Sequence, residues 1–412
     1  ADSLLQEEKE HHFTLGGSLM TRGEMRDGGL SYSEEDYARF IIGRSRLSLN
    51  YRQPNLEMQF TPQHVGVWGT KGDGSINMRE AWLKLDKNGF FAKVGRQSLA
   101  YDDERIIGLD EWSMTSAYHD VLKLGYEGHG HQAHAILAYN QNNSNVANGG
   151  TKYVDGGQVY KDMQTLWYHY DFNRRLGASL LFMNTGLQSK LKNENVTEYQ
   201  QLAGTYIKYA PGPLTLETSF YYQMGHDEMR VPIHAWMVSA EANWKINDRW
   251  KANTGYFRLS GDEDFTVPEV GDIGMMRHTK THSFSLLYAS HHEFYGAMDF
   301  FYLSAYYGGY SPGLQDFHVG GTLKTTDWLN LEAKYHYLST SVKVMDEGYT
   351  LGHELELTAS MRIMKDAWLM AGYTVMFGTE TMKRLKRRDD MNQMNWGWLM
   401  FVVSPKFFSL DW

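Results

Sequence analysis

Arg44-Ser45-Arg46-Leu47-Ser48-Leu49-Asn50-Tyr51-Arg52 alternates strictly. Leu47, Leu49 and Tyr51 fall on one face, and Arg44, Arg46, Ser48, Asn50 and Arg52 on the other. A period of two residues belongs to a strand, not a helix. Gln53-Pro54-Asn55 then turns the chain. In a water-soluble sheet the arginines would be the solvated side, and protein would cover the leucines. The same pattern recurs along the chain with no helix to supply that cover, so hydrocarbon is the simplest cover.

The recurrence is specific. Leu122, Leu124 and Tyr126 oppose His119, Lys123 and Glu127. Trp236, Val238, Ala240, Ala242 and Trp244 oppose Ser239, Glu241, Asn243 and Lys245. Leu329, Leu331, Ala333, Tyr335 and Tyr337 oppose Asn330, Glu332, Lys334 and His336, while Leu355, Leu357 and Ala359 oppose Glu354, Glu356 and Arg362. Stretches of about 10 residues with one apolar face suit strands that cross a bilayer at a tilt. Tight connections such as Lys87-Asn88-Gly89, Pro211-Gly212-Pro213 and Lys365-Asp366 alternate with longer ones at 100–117, 143–162, 261–312, 341–351 and 379–393. Turns on one side and loops on the other are the asymmetry of an outer-membrane barrel. The reading is therefore all-β: a transmembrane antiparallel β-barrel of roughly eighteen strands, with one or two loops folded into the lumen. Residues 1–10 are expected as a periplasmic tail and 11–412 as a single barrel. The segment 261–312 is either a plug or an extra hairpin.

Composition agrees. The 412 residues include 27 Tyr, 19 Phe and 12 Trp, with only 8 Pro and no proline-rich linker. Tyr and Trp favour the two lipid interfaces. No run approaches the roughly 20 apolar residues of a membrane helix. The absence of Cys leaves stability to strand pairing. A net charge of −9 argues against a nucleic-acid partner. The start Ala1-Asp2-Ser3 suits a chain from which a signal peptide has been removed.

Between the strand that begins at Phe90 and the one that begins near His119 lies a charged segment that alternation does not explain. It contains Asp102, Asp103, Arg105, Asp110, Glu111 and Trp112, and is expected to constrict a pore. Arg96, Asp102, Asp103, Arg105 and Asp120 are the candidate constriction residues, with solute contact assigned to Arg105. Arg96 shares the parity of the lipid-facing Ala92 and Val94. Either Gly95 is a bulge that resets the register, or Arg96 lies above the bilayer, paired with Asp102, Asp103 or Asp120.

Gly95-Arg96-Gln97, Tyr101, Asp103, Arg105, Gly108, Trp112 and Asp120 resemble the signature of the alginate-export family of outer-membrane barrels. Leu287-Tyr288, His292, Phe294-Tyr295-Gly296 and Asp299, and then Leu351-Gly352-His353-Glu354-Leu355-Glu356-Leu357, are also similar. The chain departs from the signature at Asp102, where the family usually has Gly, and at Glu111, which interrupts an Asp-Trp pair. The resemblance implies an 18-stranded porin-like pore that passes a polysaccharide or related anionic solutes, in the bacterial outer membrane.

The predicted lumen lining mixes signs: Arg44, Arg46, Lys84, Lys123, Lys251, Lys334 and Arg362 with Glu332, Glu354 and Glu356. A cationic lining favours anions, whereas the near balance also suits a polar neutral solute, or a sealed barrel. The alternative function is accordingly an occluded barrel that serves as a structural subunit of an envelope assembly. Expected partners are membrane lipid, lipopolysaccharide at the basic run 383–388 in a loop, a sugar or anionic solute, and other envelope proteins, around a monomeric barrel. No cofactor is expected, and no metal: His131 and His134 have opposite strand parity, and His291-His292 reads as surface histidine. His119 and Asp120 with Ser113 or Ser116 have no spacing that supports a triad, so no enzyme is expected.

Overall fold

β1 (His12–Asp27) has a neighbour on each side: β2 (Tyr37–Gln53) on one, β18 (Met394–Val403) and β19 (Lys406–Asp411) on the other. The computed structural model describes residues 10–28, 37–72, 74–142, 152–154, 156–191, 195–262, 279–301, 311–344 and 347–412. From β2 the wall continues through β3 (Leu56–Val67), β4 (Ser75–Lys87), β5 (Phe90–Gln97), β6 (His119–Gly128), β7 (His131–Tyr139), β8 (Asp162–Asn173) and β9 (Leu176–Gln188). It then passes through β10 (Thr197–Tyr209), β11 (Leu214–Gly225), β12 (Ala235–Lys245), β13 (Trp250–Leu259), β14 (Leu314–Lys324), β15 (Leu329–Val344), β16 (Gly348–Met364) and β17 (Ala367–Gly378). Each strand pairs antiparallel with the next. β18 and β19 run along one flank of β1, separated at Ser404-Pro405, where proline has no N–H to donate. The nineteen strands therefore make eighteen staves, and the sheet closes on itself without an edge.

The alternation becomes two surfaces. Leu47, Leu124, Leu166, Phe182, Val319, Leu357 and Leu399 point outward and are exposed. Gln223, Ser239, Thr165 and Asp316 point inward and are buried. Among the described residues no helix is long and apolar enough to cross a membrane; the strands do the crossing. Phe90, Phe172, Trp244, Trp250 and Trp328 are exposed at the turn end of the wall, where amphipathic rings suit a lipid interface. Two-residue turns close that end: Asn88-Gly89 has φ of 53° and 84°, and His129-Gly130 has 55° and 81°. Positive φ at both positions matches the twist of a hairpin.

The long connections differ from expectation at three places. β15 and β16 extend until only residues 345–347 separate them, so 341–351 is mostly strand rather than loop. The 379–393 connection carries a helix, α1 (Glu380–Lys386), whose N-cap Thr379 accepts from the Met382 N–H at 3.3 Å. β13 pairs directly with β14, so 261–312 adds no stave. Of its described residues, 279–301 pack inside the ring. Residues 1–9 of the expected tail lie outside the described residues.

Candidate functional site

Residues 98–118 reach both sides of the ring. Arg22 of β1, Arg44 of β2 and Arg79 of β4 donate to the carbonyls of Trp112, Ser113 and Ala117. On the far wall, Trp167 Nε1 of β8 donates to Asp102 at 3.0 Å, Tyr221 of β11 donates to the same carboxylate at 3.3 Å, and Arg105 pairs with Glu241 of β12. Only a segment that lies across the interior touches all of these. Residues 279–301 lie against it. Ile107 bridges Tyr288, the Gly108 N–H donates to the Tyr288 carbonyl at 2.8 Å, and the Tyr288 N–H donates to Ile106 at 3.0 Å. Gly108 permits this approach, because a Cβ there would sit 2.4 Å from Ser290 Oγ.

Arg105 is 1% exposed. Its Nε donates to Asp103 at 3.0 Å, another nitrogen meets Glu241, and its guanidinium lies 4.1 Å over Phe294 and 5.1 Å from Phe257. Arg105, the residue expected to contact solute, is thus placed inside the loop packing. Its charge is consumed in fastening the loop to β12, and no face is left for a passing solute. Asp102 and Asp103 are likewise engaged, and burial raises both carboxyls above the ordinary range, although Arg105 opposes the shift at Asp103.

Arg96 and Asp120 meet on the outer wall. Gly95 has φ of 118°, yet the β4–β5 register runs through it unbroken: Lys84 opposes Lys93, and Ala81 opposes Arg96. Arg96 therefore keeps the outward parity of Val94. It makes a two-pronged bond to Asp120, both contacts 2.8 Å, and stacks 4.1 Å over Tyr118 at the loop end of the outer wall. Of the three partners considered for it, Asp120 is the one it meets, outside the lumen. This parity also separates His119 from Asp120. His119 faces inward onto the Tyr160 hydroxyl at 2.7 Å, and Ser116 Oγ accepts from Arg44 and Arg46. The Ser, His and Asp do not converge.

Two basic groups face the interior. The first gathers Arg44, Arg46 and Arg79 on the Glu111 carboxylate at 3.3, 2.9 and 3.0 Å. Burial raises the Glu111 carboxyl, but the three guanidinium groups outweigh it and hold it below the ordinary range. The second is a row nearer the turn end. Lys84, Lys93 and Lys123 stand directly opposite one another on β4, β5 and β6. Lys93 Nζ lies 3.7 Å over Trp82, and Lys84 and Lys123 flank Phe91 at 4.9 and 5.5 Å. Among the described residues none of the three has a carboxylate at ion-pair distance. Lys93 escaped the sequence reading, although Ala92 and Val94 facing lipid already imply it faces inward.

The other lining candidates divide. Lys251, Glu332 and Arg362 face inward, exposed, near the turn end, and Lys334 lies further in. Glu354 and Glu356 accept the Ala297 N–H at 2.6 and 2.9 Å, which ties residues 279–301 to β16. Most of the 383–388 run lies on a helix rather than an irregular loop. α1 buries Met382 and Leu385, and Lys386 turns inward to the Phe300 carbonyl.

A closed eighteen-stave barrel with an apolar outer belt and inward-folded, charge-anchored loops is an outer-membrane channel. The sequence profile of the family described as Alginate export matches residues 69–339, and the chain belongs to that family. Its fold is similar to several solved porins. Pseudomonas aeruginosa OccK9 (OpdG) matches with TM-score 0.64 at 13% identity, covering 96% of this chain and 98% of that one. Acinetobacter baumannii OccAB1 matches with TM-score 0.64 at 12% identity, over 96% and 97%. A BenF-like porin from Pseudomonas fluorescens Pf-5 matches with TM-score 0.63 at 13% identity, over 96% and 99%. A comparison with curated protein sequences gives no match. The protein resides in the bacterial outer membrane.

Proposed function

We propose that the channel passes anionic solutes, including carboxylate-bearing saccharides, along the wall formed by β1 to β6. The row of Lys84, Lys93 and Lys123 carries this reading. Like charges directly opposite across strands destabilise a sheet. Glu57 of β3 stands opposite Lys84, so three lysines face one cross-strand carboxylate, and the row keeps an excess of positive charge that an anion can meet. The arginines on Glu111 lie further toward the loop end, so an anion moving along this wall meets positive potential twice. The opposite wall offers no such path, because Ile107, Tyr295 and Phe301 fill it with fully buried side chains. The barrel works as a monomer, with passive diffusion through the gap beside the inward loops.

Conductance in a planar bilayer, with a salt gradient, tests the proposal. The wild type should conduct and prefer anions. The triple change Lys84→Gln, Lys93→Gln and Lys123→Gln should retain conductance and lose that preference. Unchanged selectivity would remove the lysine row from the mechanism. A folded wild-type protein that does not conduct would favour the second reading, an occluded structural subunit, which the packing of residues 99–117 against 279–301 supports.

A further inference from the structure

A histidine–carboxylate cluster on the inner wall has no part in the lysine path. Asp316 and His318 lie on β14, and His336 lies directly opposite His318 on β15. All three are buried, at 0%, 5% and 3% exposure. His336 Nδ1 is 2.7 and 2.9 Å from the two Asp316 oxygens, and His318 Nδ1 is 3.8 Å from Oδ2. One ligand atom from each residue lies within 4.8 Å of the others. We propose that Asp316, His318 and His336 form a binding site for a divalent d-block cation, with zinc the best fit.

Four observations carry the assignment. The donor set is two imidazoles and a carboxylate, the chemistry that selects zinc and its neighbours over calcium or magnesium. Bonds of about 2.0–2.2 Å to such donors put tetrahedral ligand atoms about 3.3 Å apart, a separation the observed distances bracket. His318 Nδ1 is buried, aimed at Asp316, and has no hydrogen-bond partner. Each imidazole also has a carboxylate near its other nitrogen: Glu356 lies 3.2 Å from His336 Nε2, and Glu241 lies 3.7 Å from His318 Nε2. Metal-bound histidines are oriented in this way, with Nε2–H turned to the carboxylate and the Nδ1 lone pair left for the ion.

The outer carboxylates give the site a purpose. Glu241 is the partner of Arg105, and Glu356 accepts the Ala297 N–H. A bound cation would therefore order the two groups that fasten the inward segments to the wall. The histidines weighed in the sequence, His131 and His134 or His291 and His292, belong to other contacts; His292 pairs with Asp299 at 3.0 Å.

The test uses the full chain in detergent micelles. Because the cluster is buried, the protein is refolded with zinc chloride or with chelator, desalted, and assayed for bound metal. A cobalt(II) sample is examined for the visible absorption of tetrahedral coordination. One equivalent of zinc and a tetrahedral cobalt spectrum are expected, neither displaced by excess magnesium. His318→Gln and His336→Gln should each weaken zinc binding by more than about 100-fold, and Glu356→Gln by about 10–100-fold. Heat-dependent gel mobility identifies folded barrels, so an unfolded variant is recognised and set aside, and the wild-type spectrum decides alone. Substoichiometric zinc with no tetrahedral cobalt signal in folded wild-type protein would overturn the site. Equal affinity in wild type and both folded histidine variants would do so too. In either case the residues are a buried chain of ion-pair contacts from Glu356 through His336 to Asp316.

Discussion

At the scale of single residues, the interior is governed by the cost of burying charge. Arg105 is inside the loop packing, and its two carboxylate partners neutralise it there. Arg105→Ala would leave Asp103 and Glu241 facing each other without a cation. Breaking a buried pair from one side costs about 3–5 kcal/mol. Chemical denaturation should report a loss of that order, and the bilayer should report larger, noisier openings as residues 99–117 release. Asp110 makes the opposite case. Burial, with Asp299 next, pushes its carboxyl up to about 6. A raised folded value means the docked loop prefers the neutral acid. Its stabilisation is complete below the ordinary carboxylate range of about 4 and is lost as pH rises through about 6. The wild type should therefore lose thermal stability across that window more steeply than Asp110→Asn, measured side by side in the same detergent.

At the scale of elements, β5 shows what was legible and what was not. Its start at Phe90 and the turn at Asn88-Gly89 follow from the sequence, because lipid demands one apolar face and a period of two, and its end, read at about Ser98, falls at Gln97. For Arg96 the sequence left the parity open at Gly95 and offered three partners, Asp102, Asp103 and Asp120. Alternation says which face a side chain takes; it does not say that Asp120 waits on the neighbouring strand. The same limit hid the pairing of Arg105 with Glu241, 136 positions apart, since a folded-in loop leaves no local period, and the meeting of His318 with His336, whose cross-strand register alternation alone does not fix. The 341–351 stretch was read as loop because its polar residues suit water, yet Thr340, Ser341 and Thr350 lie on long strands and bond to backbone and hydroxyl groups there. Gly95 supplies the test at this scale. A Cβ at its φ of 118° would lie 2.2 Å from the Ala81 carbonyl oxygen. Gly95→Ala should cost about 1–3 kcal/mol and loosen the β4–β5 pairing, with a lower yield of heat-resistant folded barrel in refolding trials.

At the scale of the whole molecule, one charge asymmetry organises the interior. The two basic clusters lie on β1 to β6, while the far side combines the apolar packing around Tyr295 and Phe301 with the histidine–carboxylate cluster of β12 to β16. Salt should therefore matter. Positive potential is screened over about 8 Å at physiological ionic strength and about 3 Å at 1 M. The anion preference of the wild-type channel should fall as salt rises, while the lysine-to-glutamine triple variant should show little dependence; reversal potentials at several salt concentrations measure both.

The flank where β1 meets β18 and β19 carries a consequence for biogenesis. It is the one seam whose partners come from opposite ends of the polypeptide: His11 exchanges backbone bonds with Trp412, and the His12 imidazole meets Asp411 at 2.7 Å, 399 positions away. Every other stave can zip to its predecessor as soon as it emerges, but this one must wait for the last. Until then the nascent sheet has two raw borders, each a template for a stranger's strand. Whatever chaperones the chain into the envelope must keep those borders apart until Lys406–Asp411 arrives, and a chain cut short before Lys406 would leave His12–Gly16 of its first stave unzipped on that flank.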